Sequence, residues 1–124
     1  PEQLRERPIP GLRTPGELSE HIVFGRALHL TRTLGDRAAA LAPFLTWDDD
    51  ADPPRSAPEI VDGLERTWDA IAGLLLSGSP HDPVPEDGGP PPTQIVWGLL
   101  DHDLPHAGEL SYLLRAMGLD GVEI

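Results

Sequence analysis

Apolar residues recur at steps of three and four from Ile95 through Leu99, Leu110 and Leu113 to Met117, and His102 and His106 occupy two places on that seam where further hydrophobes belong. The spacing predicts a long helix with one face in the core, opened by Thr93 as N-cap and ended at Gly118 in the left-handed conformation. Ile60, Leu64, Trp68, Ile71 and Leu75 form a second stripe. It starts at Ser56-Ala57-Pro58-Glu59, where a capping hydroxyl, a first-turn proline and a glutamate placed for a capping box come together, and it stops at Gly78. Thr14-Pro15-Gly16-Glu17 repeats this logic and opens a helix to about Leu34, after which Gly35-Asp36 interrupts and a short helical piece spans Arg37 to Phe44.

The connections are of a different character. TWDDDADPP is an acidic loop, and residues 79–92 carry so many prolines and glycines that no regular element forms there. With no hairpin signal and no internal repeat, the fold class is all-α, an up-down helical bundle. Three long helices make a three-helix bundle possible. The first of them reads more naturally as the second helix of a four-helix bundle whose opening helix is missing from this sequence, lying upstream or coming from a neighbouring chain. Apolar surface left by that absence would favour a homodimer. Pro1 in place of Met has two origins, removal of an initiator or a start partway through a longer protein.

At 124 residues the chain is expected to be a single domain, with bundle helices across residues 13–118. Nine Lys+Arg against 21 Asp+Glu set the formal charge at −12, which repels nucleic acid and anionic membrane surfaces and leaves a small-molecule substrate as the expected partner. There is no cysteine, so disulfides, a thiolate nucleophile and thiolate-held metals are excluded. No stretch approaches the roughly 20 apolar residues of a membrane span and no secretory signal is present, so the chain is expected to be cytoplasmic.

Four residues turn a helix by about 400° and rise about 6 Å, so His102 and His106 share one face and can grip a single metal ion. Burying two imidazoles without partners would cost about 1 to 3 kcal/mol each, so a metal, a carboxylate or mutual hydrogen bonding must satisfy them. A third imidazole is available from the first helix, which carries His21 and His29. Leu18, His21, Gly25 and Leu28 make one seam there and Leu18, Ile22, Gly25 and His29 another, and periodicity does not choose between them. Gly25 lets a facing helix approach closely on either.

Three segments, GELSEHIVFGRAL, TWDDDADPP and WGLLDHDLPHAGELSYLLRAMG, resemble the DinB-like superfamily, including its actinobacterial mycothiol-transferase and maleylpyruvate-isomerase-like branch. The similarity runs from about Arg13 to Ile124. It implies a four-helix bundle with a divalent metal held by one histidine of the second helix and two of the fourth, here His21, His102 and His106, and so selects His21 over His29. Pro105 departs from a regular helix: its ring crowds the preceding turn and it donates no hydrogen bond, so the helix is expected to kink, or to restart with Asp103 as cap and part the two histidines.

Three neutral imidazoles leave zinc, nickel or iron with open coordination positions, a catalytic rather than a structural arrangement. Such an ion lowers the pKa of a bound thiol or water. The resemblance implies a transferase in which a low-molecular-weight thiol such as mycothiol attacks a small electrophile. A metal-dependent hydrolase and a non-catalytic dimeric bundle that binds a metal or small ligand are the alternatives. Glu109, three residues past His106, is the candidate proton handler, and Tyr112 a candidate donor to bound substrate. Asp101 and Asp103 flank His102, with solvated helix-face charge the simpler reading of Asp101. His81 lies in the proline-rich loop and reads as unliganded. Trp47, Trp68 and Trp97 are expected in the core, or else along a substrate pocket. Asp48, Asp50, Asp52 and Glu59 have the spacing of a calcium loop, but Pro53 and Arg55 stand where a glycine and a hydrophobe are needed, so these carboxylates read as a solvated loop near the mouth of the bundle.

Overall fold

The computed structural model describes residues 2–49, 54–77 and 89–122. After a short 3₁₀ turn at Gln3–Arg5 come helix α1, Pro15–Leu34, a 3₁₀ segment Gly35–Phe44, helix α2, Ala57–Ser77, and helix α3, Pro92–Ala116. No strand occurs among the described residues, and no helix there is long and apolar enough to cross a membrane. The proline-rich loop lies outside them over residues 78–88, together with His81, Asp50, Asp52 and Pro53.

The helix ends follow local chemistry. Thr14 closes a full capping box on α1: its hydroxyl accepts from the Glu17 N–H at 3.1 Å, and the Glu17 carboxylate accepts from the Thr14 N–H at 2.7 Å. Arg7 grips the same carboxylate with bonds of 2.8 and 2.9 Å. At the start of α2 only the return half forms, because Glu59 accepts from both the Ser56 N–H, at 2.8 Å, and the Ser56 hydroxyl, at 2.5 Å. Thr93 is not a cap. Helix α3 begins two residues before the start a Thr93 cap would give, at Pro92, whose missing N–H would have had no helical partner there. At its other end Gly118 adopts φ +75°, and the bonds Leu119 N–H to Leu114 O and Gly118 N–H to Arg115 O close a Schellman motif.

Helix α1 is the central rod and packs against α2, α3 and the 3₁₀ segment. Two apolar clusters flank its middle. Val23, Ala27 and Leu30 join Leu41, Phe44, Ile71, Leu74, Ile95 and Leu99 toward one end, while Leu18 and Ile22 meet Leu113 at the other. Burying such side chains contributes about 1.5 to 3 kcal/mol each, so the clusters clamp α1 to α3 on both sides of whatever lies between them.

The α3 stripe is the one its spacing predicts, with Ile95, Leu99 and Leu113 buried and His102, His106, Leu110 and Met117 partly so. The α2 stripe is rotated from expectation. Ile60, Gly63, Thr67, Ile71 and Leu74 face inward, whereas Trp68 is 53% and Leu75 48% exposed. The reason is Trp47, whose ring lies against Gly63 where a Cβ would stand and meets Phe44 edge-on at 5.0 Å, drawing the glycine side of α2 into the core. Of the three tryptophans only Trp47 is a core residue; Trp97 is 71% exposed.

Candidate metal centre

Between the two apolar clusters, α1 and α3 run antiparallel and interlock through glycines. A Cβ at Gly25 would fall on the His102 imidazole, and one at Gly98 would fall on the His29 imidazole. Each helix thus offers a Gly-x3-His face, and each glycine receives the other helix's ring. This close approach carries His102 to within a helical turn of His21, which lies four residues before Gly25 on the same face.

His21, His102 and His106 form one cluster. A ligand nitrogen from each lies within 4.8 Å of the others, and no carboxylate oxygen among the described residues joins that set. The ring centroids are 4.7 Å apart for His21 and His106, 4.8 Å for His102 and His106, and 5.6 Å for His21 and His102. Nitrogens sharing one tetrahedral zinc are about 3.3 Å apart, so closing the set takes only small side-chain adjustment. The side chains are 18%, 25% and 21% exposed, sheltered from bulk water yet open to a small molecule.

The helix runs through Pro105 without ending, so the restart at Asp103 does not occur. Asp103 instead accepts from Arg26 Nε at 2.7 Å and faces His102 Nδ1 at 3.0 Å. Burial pushes the Asp103 pKa up, but the His102 contact and the Arg26 guanidinium outweigh it and hold the carboxyl below its usual range. Arg26 also reaches Leu64 O at 3.5 Å, tying the pair to α2.

Asp48 Oδ2 stands 3.0 Å from His21 Nδ1. The approach is off the line of a ring N–H, so Nδ1 is buried without a well-aligned hydrogen bond and the contact is electrostatic. Burial lowers the His21 pKa, and the attraction of Asp48 recovers only part of the shift. Glu109 Oε2 lies 3.4 Å from His106 Nδ1. Tyr112 is 65% exposed, with no hydrogen bond or ring contact to the cluster. Asp101 is exposed.

His29 has a different place. Its Nε2 pairs with Ile95 O at 3.0 Å, and its ring fills the notch at Gly98, so it pins α1 to α3. Sequence reasoning missed Arg26 altogether and put Asp48 in a solvated loop; the histidine-facing role of Asp48 had one signal, its place in the TWDDDADPP segment beside a tryptophan. A cleft of about 720 Å³, lined by Arg13, Glu17, Glu20, Trp47, Asp48 and Arg55 among others, adjoins the cluster through Asp48.

A family model for the DinB superfamily matches residues 1–110. The chain belongs to the DinB superfamily. The match is to the superfamily as a whole and does not single out its thiol-transferase branch. No curated protein and no solved structure matches this DinB-superfamily chain.

Proposed function

We propose that this DinB-superfamily protein holds a divalent metal ion, zinc, nickel or iron, on His21, His102 and His106, and transfers a low-molecular-weight thiol of the mycothiol kind to a small electrophilic substrate. The observation that carries the metal is the convergence of three imidazole nitrogens within 4.8 Å from two helices clamped on either side. The donor set is all nitrogen, which suits those metals and leaves coordination positions free. The ion's contribution is Lewis acidity, which brings a thiol or water pKa toward neutrality. A chain with no cysteine must take its thiol from outside.

The protein's own side chains bind, orient and move protons. His21, His102 and His106 act as neutral ligands. The carboxylate of Glu109 beside His106 supports a proton-handling role at the α3 side of the site in addition to its contact with that ring, and the cleft beside Asp48 has room for a small molecule. Tyr112 faces solvent, so its phenol serves only a substrate that extends across the surface of α3. A hydrolase acting through metal-activated water fits the same residues.

Elemental analysis of untagged protein tests the metal. One ion per chain is expected, lost in His21→Ala, His102→Ala and His106→Ala and kept in His29→Ala. A metal-free native protein would remove both enzymatic readings and leave a non-catalytic bundle. Turnover of a chloro-aromatic electrophile only with added thiol marks the transferase; turnover of an ester without thiol marks the hydrolase. A homodimer belongs to the same proposal, supported by the exposed Trp68 and Leu76 of α2 and Trp97 and Leu104 of α3.

A further inference from the structure

Every imidazole of the cluster turns the same nitrogen to a carboxylate. Asp48 faces Nδ1 of His21 at 3.0 Å, Asp103 faces Nδ1 of His102 at 3.0 Å, and Glu109 faces Nδ1 of His106 at 3.4 Å. The three acids come from separate places: the turn after the 3₁₀ segment, the next residue along α3, and one helical turn farther on. A neutral imidazole carries one N–H and one lone pair, and a carboxylate is an acceptor only, so Asp103 and Glu109, in hydrogen-bonding positions, favour the proton on Nδ1 and the lone pair on Nε2. Asp48 favours the same form of His21 through its negative charge beside Nδ1 rather than through an aligned hydrogen bond. Nε2 of His102 lies in the Gly25 notch, on the face of α1 that also carries His21.

We infer that Asp48, Asp103 and Glu109 are positioning residues that hold all three imidazoles as Nδ1–H tautomers and aim three Nε2 lone pairs at one divalent cation. This rests on the metal reading of the triad. Two of the acids are themselves held. Asp103 is fixed by Arg26, and Asp48 follows Trp47, whose ring is buried on Gly63 with the Arg55 guanidinium 4.6 Å over it. Charge agrees in sign: three carboxylates against Arg26 and Arg13, the latter 3.8 Å from Asp48, leave the neutral-histidine cluster anionic, which attracts a cation. Asp48 has a further consequence. It belongs to no helix of the bundle, so it makes ligand geometry at His21 depend on the seating of Trp47.

Two measurements test this on the full chain. Long-range ¹H–¹⁵N correlation of metal-free protein, recorded about two pH units above the imidazole reference value of about 6.5, reads the tautomer of each ring. Nδ1–H is expected on His21, His102 and His106. Asp48→Ala should release His21, and Glu109→Ala should release His106, toward the Nε2–H form, with Glu109→Gln restoring part of the effect at His106 through its carbonyl oxygen. Competition of Zn²⁺ against a chromogenic chelator should then show affinity about 10- to 100-fold weaker in each alanine variant. Nε2–H rings in the unmodified protein, or zinc affinity within about twofold of native in both variants, would overturn the inference while leaving the triad intact. Failure of the unmodified protein to bind zinc overturns the metal reading itself, whatever the tautomers.

Discussion

Gly25 on α1 and His102 on α3 occupy complementary space: the imidazole lies where the first side-chain carbon of any other residue at position 25 would be. Alanine at an ordinary helical site is favoured over glycine by about 1 kcal/mol. Here the added methyl must displace a ring held by Asp103, and overpacking of that kind costs about 1 to 3 kcal/mol. Gly25→Ala is therefore expected to lower stability and to abolish or strongly weaken metal binding, read by urea unfolding and zinc titration. Gly98→Ala, which collides with His29, should lower stability by a similar amount and leave zinc affinity near native. Equal loss of metal in both variants would show that the two notches are not separate in function.

Acid should destabilise the metal-free protein in two stages. The folded pKa of His21 lies below its ordinary 6.5 because burial disfavours the imidazolium, so the unfolded chain takes up that proton first. Stability from this group is complete above 6.5 and is lost as pH falls through the folded value. Asp103 has a folded pKa below its usual 3.8: burial works against this, but His102 and Arg26 prevail. Its contribution is complete above 3.8 and disappears as pH drops through the lowered value. Urea unfolding across pH in the presence of a chelator should show both stages. His21→Gln should remove the first, and Asp103→Asn should diminish the second, to which Glu59, held low by its hydrogen bonds with Ser56, also contributes. A single stage in the unmodified protein would contradict the His21 environment described above.

Pro105 sits inside α3 on its exposed side, between the two α3 histidines. Its nitrogen cannot donate to the carbonyl of Asp101, and an interior proline costs about 3 kcal/mol. Pro105→Ala is expected to raise unfolding free energy by about 1 to 3 kcal/mol in denaturant titration. Zinc affinity reports whether the proline shapes the pair. An unchanged value means the helix holds His102 and His106 without it, and a loss means the proline sets their relative pose.

Trp97 and Trp68, at 71% and 53% exposure, leave large aromatic surface in water. Sedimentation equilibrium should find a dimer that Trp97→Ser converts to monomer, and Trp emission should shift to the blue as concentration rises through the dissociation constant. A monomer at high concentration with emission independent of concentration would exclude self-association through this surface.

The sequence by itself determined what depends on near neighbours. Capping at Thr14, the 3.6-residue stripe of α3 and the left-handed stop at Gly118 need only a few consecutive residues, and His102 and His106 share a face because four residues always turn a helix slightly more than once. Motif resemblance then supplied the superfamily and selected His21 from two candidates that spacing left equal. Only the tertiary structure decided what lies across the helix pair. It sent His29 to Ile95 and Gly98, rotated the buried face of α2 toward Trp47, carried α3 through Pro105, and brought Asp48 and Arg26 to the histidines. Those outcomes turn on which residue has no Cβ where two backbones meet and which carboxylate lies within reach of which ring. Such distances join residues far apart in the chain, and no local pattern encodes them.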